Sequence, residues 1–165
     1  MADNTFIFPI IFMNKQAISE IINCNKITLR YGLVLSPQEA AELVETQTTA
    51  LRTNGRIEFG SGVINKIIIK FCDSPFLAKH NYAPILNDLI ETFYYFKNET
   101  LNEIDDDDLI SLMKTYFDQN CRGSIELLQN RELELMARNI RYGIRNYMSM
   151  CKDTEESFSE DNYYD

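Results

Sequence analysis

The chain has 165 residues, of which 45% are hydrophobic and 25% charged, so its size and composition fit one globular domain. Of its net charge of −9, residues 153–165 contribute −6, and the remaining acidic body of −3 argues against nucleic acid as a partner, because such binding depends on neutralising phosphates. No apolar run reaches the roughly 20 residues of a membrane-spanning helix, so we expect no membrane association.

The first segment, residues 1–13, is an apolar arm predicted to lie across the core or to cover a partner subunit. An acid, Asp3, precedes its apolar stretch where a signal peptide has basic residues, so we expect a cytoplasmic protein. The aromatic residues through which the arm would make contact are Phe6, Phe8 and Phe12.

Two helices are predicted next. The first covers about residues 14–31, and the second has the clearest start in the chain. Ser36 is suited to the N-cap, Pro37 to the first helical position, and Glu39 completes a capping box. The second helix is predicted to end at Gly55.

The stretch 55–75 differs in pattern from the rest of the chain. Arg56 and Glu58 alternate with Ile57 and Phe59, which predicts at most one short strand pair there. Helical spacing follows as far as Phe71, although the β-branched run 67–69 also suits a strand. The polar residues that could contact a small anionic ligand at this corner are Arg56, Glu58, Ser61 and Asp73.

Three further helices complete the predicted all-α fold, a single-domain bundle of about six helices over residues 14–152. They cover about 82–97, a segment from Asp105 to Asn120, and about 125–151. The side chain of Asp105 is expected to cap its helix by accepting from the N–H of Asp108. Residues 153–165 contain six acids and no base, and we predict a disordered acidic tail.

Arginines recur along the last predicted helix with the spacing of one helical face. This surface has three interpretations: a solvated face, a phosphate or nucleic-acid surface, or the partner of an acidic block. The block contains Glu99, Glu103 and residues 105–108. The arginines concerned are Arg131, Arg138, Arg141 and Arg145.

Two chemical alternatives are less well supported by the pattern. Cys72, Asp73 and His80 could be a nucleophile, an orienting acid and a base, but Cys72 follows an apolar helix and suits a core thiol. The acids at 105–108 could bind a metal, but an acidic helix start explains them. We therefore predict no catalytic residue, no cofactor and no metal, and four free cysteines.

The sequence resembles a family of uncharacterised bacterial proteins found mainly in Firmicutes, and the likeness covers about residues 17–140. The resemblance implies a bacterial cytoplasmic setting and supplies no catalytic residue. The matching segments are CN at 24–25, YGL at 31–33, GRIEFG at 55–60, FCDSP at 71–75, FYYFKNE at 93–99 and CRGS at 121–124.

These observations favour a non-enzymatic interaction or regulatory protein that binds a protein partner or associates with itself. One alternative is an enzyme or small anionic-ligand binder that uses the 55–75 corner. A second is a nucleic-acid binder that uses the helix face of Arg138, Arg141 and Arg145.

Overall fold

A computed structural model gives the fold of the chain. It describes the backbone of residues 4–58 and 61–143, and the side chains of residues 14–58 and 61–143. In these ranges the chain forms six helical segments and no strand, which confirms the prediction of an all-α single domain.

The first four helices are regular, apart from a short extension of the first. They are α1 (Asn4–Asn23), α2 (Pro37–Thr53), α3 (Gly62–Phe71) and α4 (Tyr82–Glu99). After α1 the chain makes one further helical turn, Asn25–Thr28, and a 3-10 turn, Leu29–Tyr31.

The last two helices each contain a π-helical turn, in which hydrogen bonds skip one more residue than in an α-helix. Helix α5 consists of Asp106–Thr115 followed by the π turn Tyr116–Asn120. Helix α6 consists of Ile125–Leu127, the π turn Leu128–Glu132 and Leu133–Arg141.

Helix α1 departs from the prediction at both ends. It begins at Asn4, so the backbone of the predicted arm is helical from that residue, while the side chains of Phe6, Phe8 and Phe12 lie outside the described ones. It ends at Asn23, and Asn25 begins the next helical turn. The Asn25 amide donates to the Leu35 carbonyl and accepts from the Leu35 N–H, both at 2.9 Å, and so holds the connection to α2.

Helix α2 begins and ends as its sequence predicts. The Ser36 hydroxyl accepts from the Glu39 N–H at 3.1 Å, and the Glu39 carboxylate accepts from the Ser36 N–H at 2.9 Å. At the other end Gly55 adopts a left-handed φ of 65°, and the Arg56 N–H donates to the Leu51 carbonyl at 2.8 Å. This Schellman arrangement fixes the direction in which the chain leaves the helix.

The strand proposed at Ile57 and Phe59 is not present in the described residues. Residues 56–58 have no regular structure, and Phe59 lies outside the description. The alternating pattern has another cause: Ile57 is 83% exposed, while the polar side chains of Arg56 and Glu58 are directed inward. Helix α3 follows, and it includes the β-branched run 67–69 because that helix buries one apolar side. The buried residues are Val63, Ile64, Ile67, Ile68 and Phe71.

Helix α4 lies at the centre of the bundle and contacts α2, α3, α5 and α6. It runs parallel to α2, since the side-chain contacts advance together along both helices. Thr46 of α2 donates to Asn87 at 2.5 Å, and about two turns further along both helices the Asn54 amide donates to the Tyr94 carbonyl at 3.5 Å. The carboxyl ends of α2 and α4 therefore lie at the same end of the molecule.

Two predictions about helix ends are wrong. The Asp105 side chain makes no capping hydrogen bond at the start of α5; it lies exposed to solvent. Helix α6 was expected to continue to about residue 151, but it ends at Arg141, where Gly143 adopts a left-handed φ of 82°. Arg145 lies outside the described residues, as does the predicted acidic tail.

Candidate functional site

Arg56 and Glu58 lie where the carboxyl ends of α2 and α4 meet. The Tyr94 hydroxyl, fully buried in α4, donates to the Glu58 carboxylate at 2.5 Å and accepts from the Gln47 amide at 3.1 Å. Burial, together with the Glu58 acceptor, raises the pKa of Tyr94 far above its usual range. The phenol therefore stays protonated, and the three side chains tie the loop after α2 to the central helix.

Arg56 completes this junction. Its guanidinium lies 3.5 Å from the Glu58 carboxylate and donates to the side chain of Asn102, which follows α4. The buried Nε of Arg56 has no hydrogen-bond partner among the described residues. The cation lies close to the carboxyl ends of two helices, where the negative ends of their dipoles favour a positive charge.

The other two corner residues lie elsewhere. The fully buried Ser61 hydroxyl donates to the Glu20 carboxylate of α1 at 2.6 Å. Asp73, at the far end of α3, lies 3.1 Å from Lys114 of α5. The structure thus brings Arg56 and Glu58 together and gives Ser61 and Asp73 partners on other helices, so the four residues do not form one ligand site.

The arginines of α6 are mostly engaged in ion pairs. Arg141 lies 2.6 Å from Glu99 and 3.3 Å from Glu134, so one contact with the acidic block is present within the chain. Arg131 pairs with Glu132 at 2.8 Å, and Arg138 is exposed. These pairs lie within the chain and reduce the positive charge that Arg131 and Arg141 could offer to a partner.

The residues considered for catalysis or metal binding do not form a common site. The Cys72 thiol donates to the Ile69 carbonyl at 3.1 Å, and burial raises its pKa, which keeps it protonated. His80 is exposed. In the acidic block Asp106 pairs with Lys97 at 2.8 Å and Asp107 with Lys66 at 2.9 Å. Within the described residues no group of three or more potential ligands is placed to hold a metal ion.

A feature that the sequence did not predict is a groove of about 600 Å³ between α2, α4 and α6, here called the α2–α4–α6 groove. Hydroxyl, amide and aromatic groups predominate in its lining. Helix α2 contributes Thr46, Thr49, Ala50 and Thr53, followed by Asn54; helix α4 contributes Glu91, Thr92, Tyr95 and Phe96; helix α6 contributes Gln129, Asn130 and Glu134.

The groove has a fixed polar floor. The Gln129 amide donates to the Thr92 hydroxyl at 2.7 Å, and that hydroxyl donates to the Asp88 carbonyl at 2.6 Å. The Asn54 amide nitrogen donates to the Ala50 carbonyl at 3.0 Å, which leaves its carbonyl oxygen as an acceptor. Gln129 and Asn130 belong to the π turn of α6, and such turns are frequent at functional sites.

The charge of the lining is one-sided. Among the described residues that line the groove, Glu91 and Glu134 carry the carboxylates, and none is a lysine, arginine or histidine. A second, more open groove lies between α3 and α5, and its three acids all pair with lysines. Those acids are Asp73, Asp107 and Asp118.

One feature of the sequence could have indicated the α2–α4–α6 groove. Thr46, Thr49 and Thr53 recur at helical spacing on a side of α2 away from its buried residues. Threonine is a poor helix former, so such a polar stripe needs an explanation other than helix stability.

The fold and the groove define an all-α domain with a polar cleft between parallel helices. The model of a family described as a family of unknown function (DUF6323) matches residues 20–146, and the chain belongs to that family. No curated protein and no solved structure matches the chain. Among the described residues, no helix is long and apolar enough to cross a membrane.

Proposed function

We propose that this protein is a non-enzymatic binding protein that holds a small polar molecule in the α2–α4–α6 groove. The observation that carries the proposal is the groove itself. Its volume of about 600 Å³ lies within the range of small-molecule sites, and three helices converge on it with directed polar groups.

The lining also indicates how such a molecule would be held. Hydroxyl and amide groups of Thr49, Thr53 and Asn54 supply hydrogen bonds from one side, and the aromatic rings of Tyr95 and Phe96 supply apolar contact from the other. The absence of a basic residue from this lining disfavours an anionic ligand. The ligand-binding role therefore moves from the 55–75 corner to the groove.

The interaction and nucleic-acid roles have less support. Of the arginines that would form a basic surface, Arg131 and Arg141 are paired with Glu132, Glu99 and Glu134, while Arg138 is exposed. The aromatic side chains of the arm lie outside the described residues, so the groove remains the feature with the most direct support.

We also propose a bacterial cytoplasmic setting. The resemblance of the sequence supports the bacterial origin. In the described part of the chain Cys24, Cys72 and Cys121 are free thiols, which a reducing compartment favours.

A thermal-shift screen with neutral, cationic and anionic small molecules tests the binding role. The informative variant is Thr49→Trp, which fills the groove from an exposed position of α2. Its control is Thr48→Trp, the neighbouring exposed threonine outside the groove lining. At 100 times its Kd a ligand stabilises by about 2.7 kcal/mol, so a hit should raise the Tm of the wild type by roughly 5–10 °C.

We expect the hit to act on the wild type and on Thr48→Trp but not on Thr49→Trp, with all three proteins equally helical by circular dichroism. If no compound raises the Tm, or if Thr49→Trp retains the full shift, the groove is not the binding site.

A further inference from the structure

We propose that the α2–α4–α6 groove selects an organic cation, specifically an aliphatic amine or guanidinium compound. This inference rests on the proposed binding role and adds the charge of the ligand. It follows from three features of the lining: its carboxylates, its exposed ring and its hydrogen-bond acceptors.

The carboxylates give the groove a negative potential, which Arg141, from outside the lining, offsets in part at Glu134. Glu91 is exposed and has no ion-pair partner among the described residues, and Glu134 lies across the groove on α6. A cation in the groove gains from the Glu91 charge and, where it displaces Arg141, from the Glu134 charge, while an anion is repelled by Glu91.

An aromatic face lies next to the first carboxylate. Glu91 and Tyr95 are one turn apart on α4 and therefore project from the same side of the helix. The Tyr95 ring is 52% exposed and is held edge-on against Phe96, with ring centroids 4.9 Å apart. An exposed tyrosine ring beside a carboxylate is a favourable setting for an ammonium or guanidinium group.

The second carboxylate already accepts from a cation of the chain. Glu134 lies 3.3 Å from the Arg141 guanidinium, whose stronger contact is with Glu99 at 2.6 Å. A ligand could replace the longer contact while Arg141 keeps its pair with Glu99. A ligand nitrogen at this position would therefore have to compete with Arg141 for the Glu134 carboxylate.

The acceptors favour an organic over an inorganic cation. An amine has several N–H donors, which the Thr49 and Thr53 hydroxyls and the Asn54 carbonyl oxygen can accept. A divalent metal ion needs a compact set of oxygen ligands, and the described residues contain no group of three acidic, histidine or cysteine side chains placed for one.

Isothermal titration calorimetry with putrescine and spermidine tests this inference. The neutral comparison compound is 1,4-butanediol, which has the chain length of putrescine with hydroxyls in place of its ammonium groups. We expect putrescine to bind with a Kd below about 1 mM and the diol to show no binding in that range. Raising the NaCl concentration should weaken the binding of the amine, because its ion pairs with the groove carboxylates would be partly exposed to solvent.

Charge-removing variants then locate the site. Glu91→Gln and Glu134→Gln should each raise the Kd for putrescine about threefold to tenfold, as expected for the loss of a partly exposed ion pair. The matched control is Glu126→Gln, an exposed carboxylate of the same helix α6 outside the groove lining, which should leave the Kd unchanged. Tyr95→Leu should weaken binding roughly twofold to fivefold through loss of the ring.

The outcomes separate this inference from the binding role on which it rests. If a neutral compound is blocked by Thr49→Trp while amines do not bind, the cation inference is wrong and the binding role stands. Equal losses in Glu91→Gln and Glu126→Gln, or equal affinities for putrescine and the diol, would also overturn it. If no compound of any charge binds, both proposals fail.

Discussion

Two buried tyrosines of α4 differ in how their hydroxyls are satisfied. The Tyr94 hydroxyl has two partners, Glu58 at 2.5 Å and Gln47 at 3.1 Å. The Tyr82 hydroxyl is buried without a hydrogen-bond partner among the described residues, and the adjacent Thr28 hydroxyl donates to the Leu33 carbonyl at 2.6 Å. Removing the hydroxyl should therefore lower the free energy of unfolding at Tyr94 and leave it nearly unchanged, or raise it, at Tyr82.

Tyr94→Phe should lower the free energy of unfolding by about 1–3 kcal/mol, because it leaves Glu58 and Gln47 without their shared partner. Tyr82→Phe removes an unsatisfied polar atom and should change stability by less than about 0.5 kcal/mol, or raise it. Urea denaturation of the two variants gives the comparison. Equal losses would contradict the assigned hydrogen bonds.

The sequence predicted part of the Tyr94 network. It identified Arg56 and Glu58 as polar residues without a role in helix formation. It did not identify Tyr94 or Gln47 as their partners. The partners lie 36 and 47 residues from Tyr94, so only packing brings them together.

At the scale of elements, the connection between α5 and α6 is packed more closely than the one after α2. Gly55 and Gly123 both have left-handed backbone conformations, with φ of 65° and 83°. A Cβ at Gly55 would meet no atom within 4 Å, whereas one at Gly123 would lie 2.6 Å from the Cβ of Phe76. Phe76 in turn packs edge-on against Phe117 of α5.

Gly55→Ala should lower the free energy of unfolding by about 1 kcal/mol, because alanine disfavours a left-handed conformation. Gly123→Ala should cost at least about 2 kcal/mol more, because Phe76 must also move and overpacking adds its own penalty. Thermal unfolding of both variants measures the difference. Similar losses would mean that the 121–124 turn adjusts freely and that Phe76 does not fix it.

Sequence reasoning succeeded for elements with local signals. The capping box at Ser36 was predicted because it requires only neighbouring residues. The π turns of α5 and α6 were not predicted. In α5 the turn holds Phe117 in the core while Asp118 accepts from Ser74 at 2.6 Å, so its geometry depends on contacts with another segment.

At the scale of the whole molecule, every group with a shifted pKa among the described residues has its pKa raised by the fold. Burial, and then Glu132, raises the pKa of Cys121 to about 11, and burial raises the pKa of Tyr82 to about 12. For Lys114 the pairs with Asp118 and Asp73 outweigh burial and raise its pKa. In each case the folded state retains a proton that the unfolded state releases at lower pH.

Stability should consequently be constant from neutral pH to about 9 and fall above it, because the unfolded state loses these protons first. For Tyr82 the loss should run from its ordinary pKa of 10.0 to about 12. Over that interval the free energy of unfolding of Tyr82→Phe should fall by roughly 2 kcal/mol less than that of the wild type. Urea denaturation at pH 8, 10 and 12 tests this, with the exposed-site variant Tyr95→Phe as the control. A parallel decline in both variants would contradict it.

The sequence by itself determined the fold class, because the apolar spacing and the caps that specify helices act over a few residues. It also determined where α2 begins and ends. The tertiary structure alone decided where the polar residues meet: Glu58 at Tyr94, Asp73 at Lys114, and the threonine stripe of α2 opposite Glu134 of α6. A groove between three helices depends on their relative positions, and those follow from the packing of the whole core.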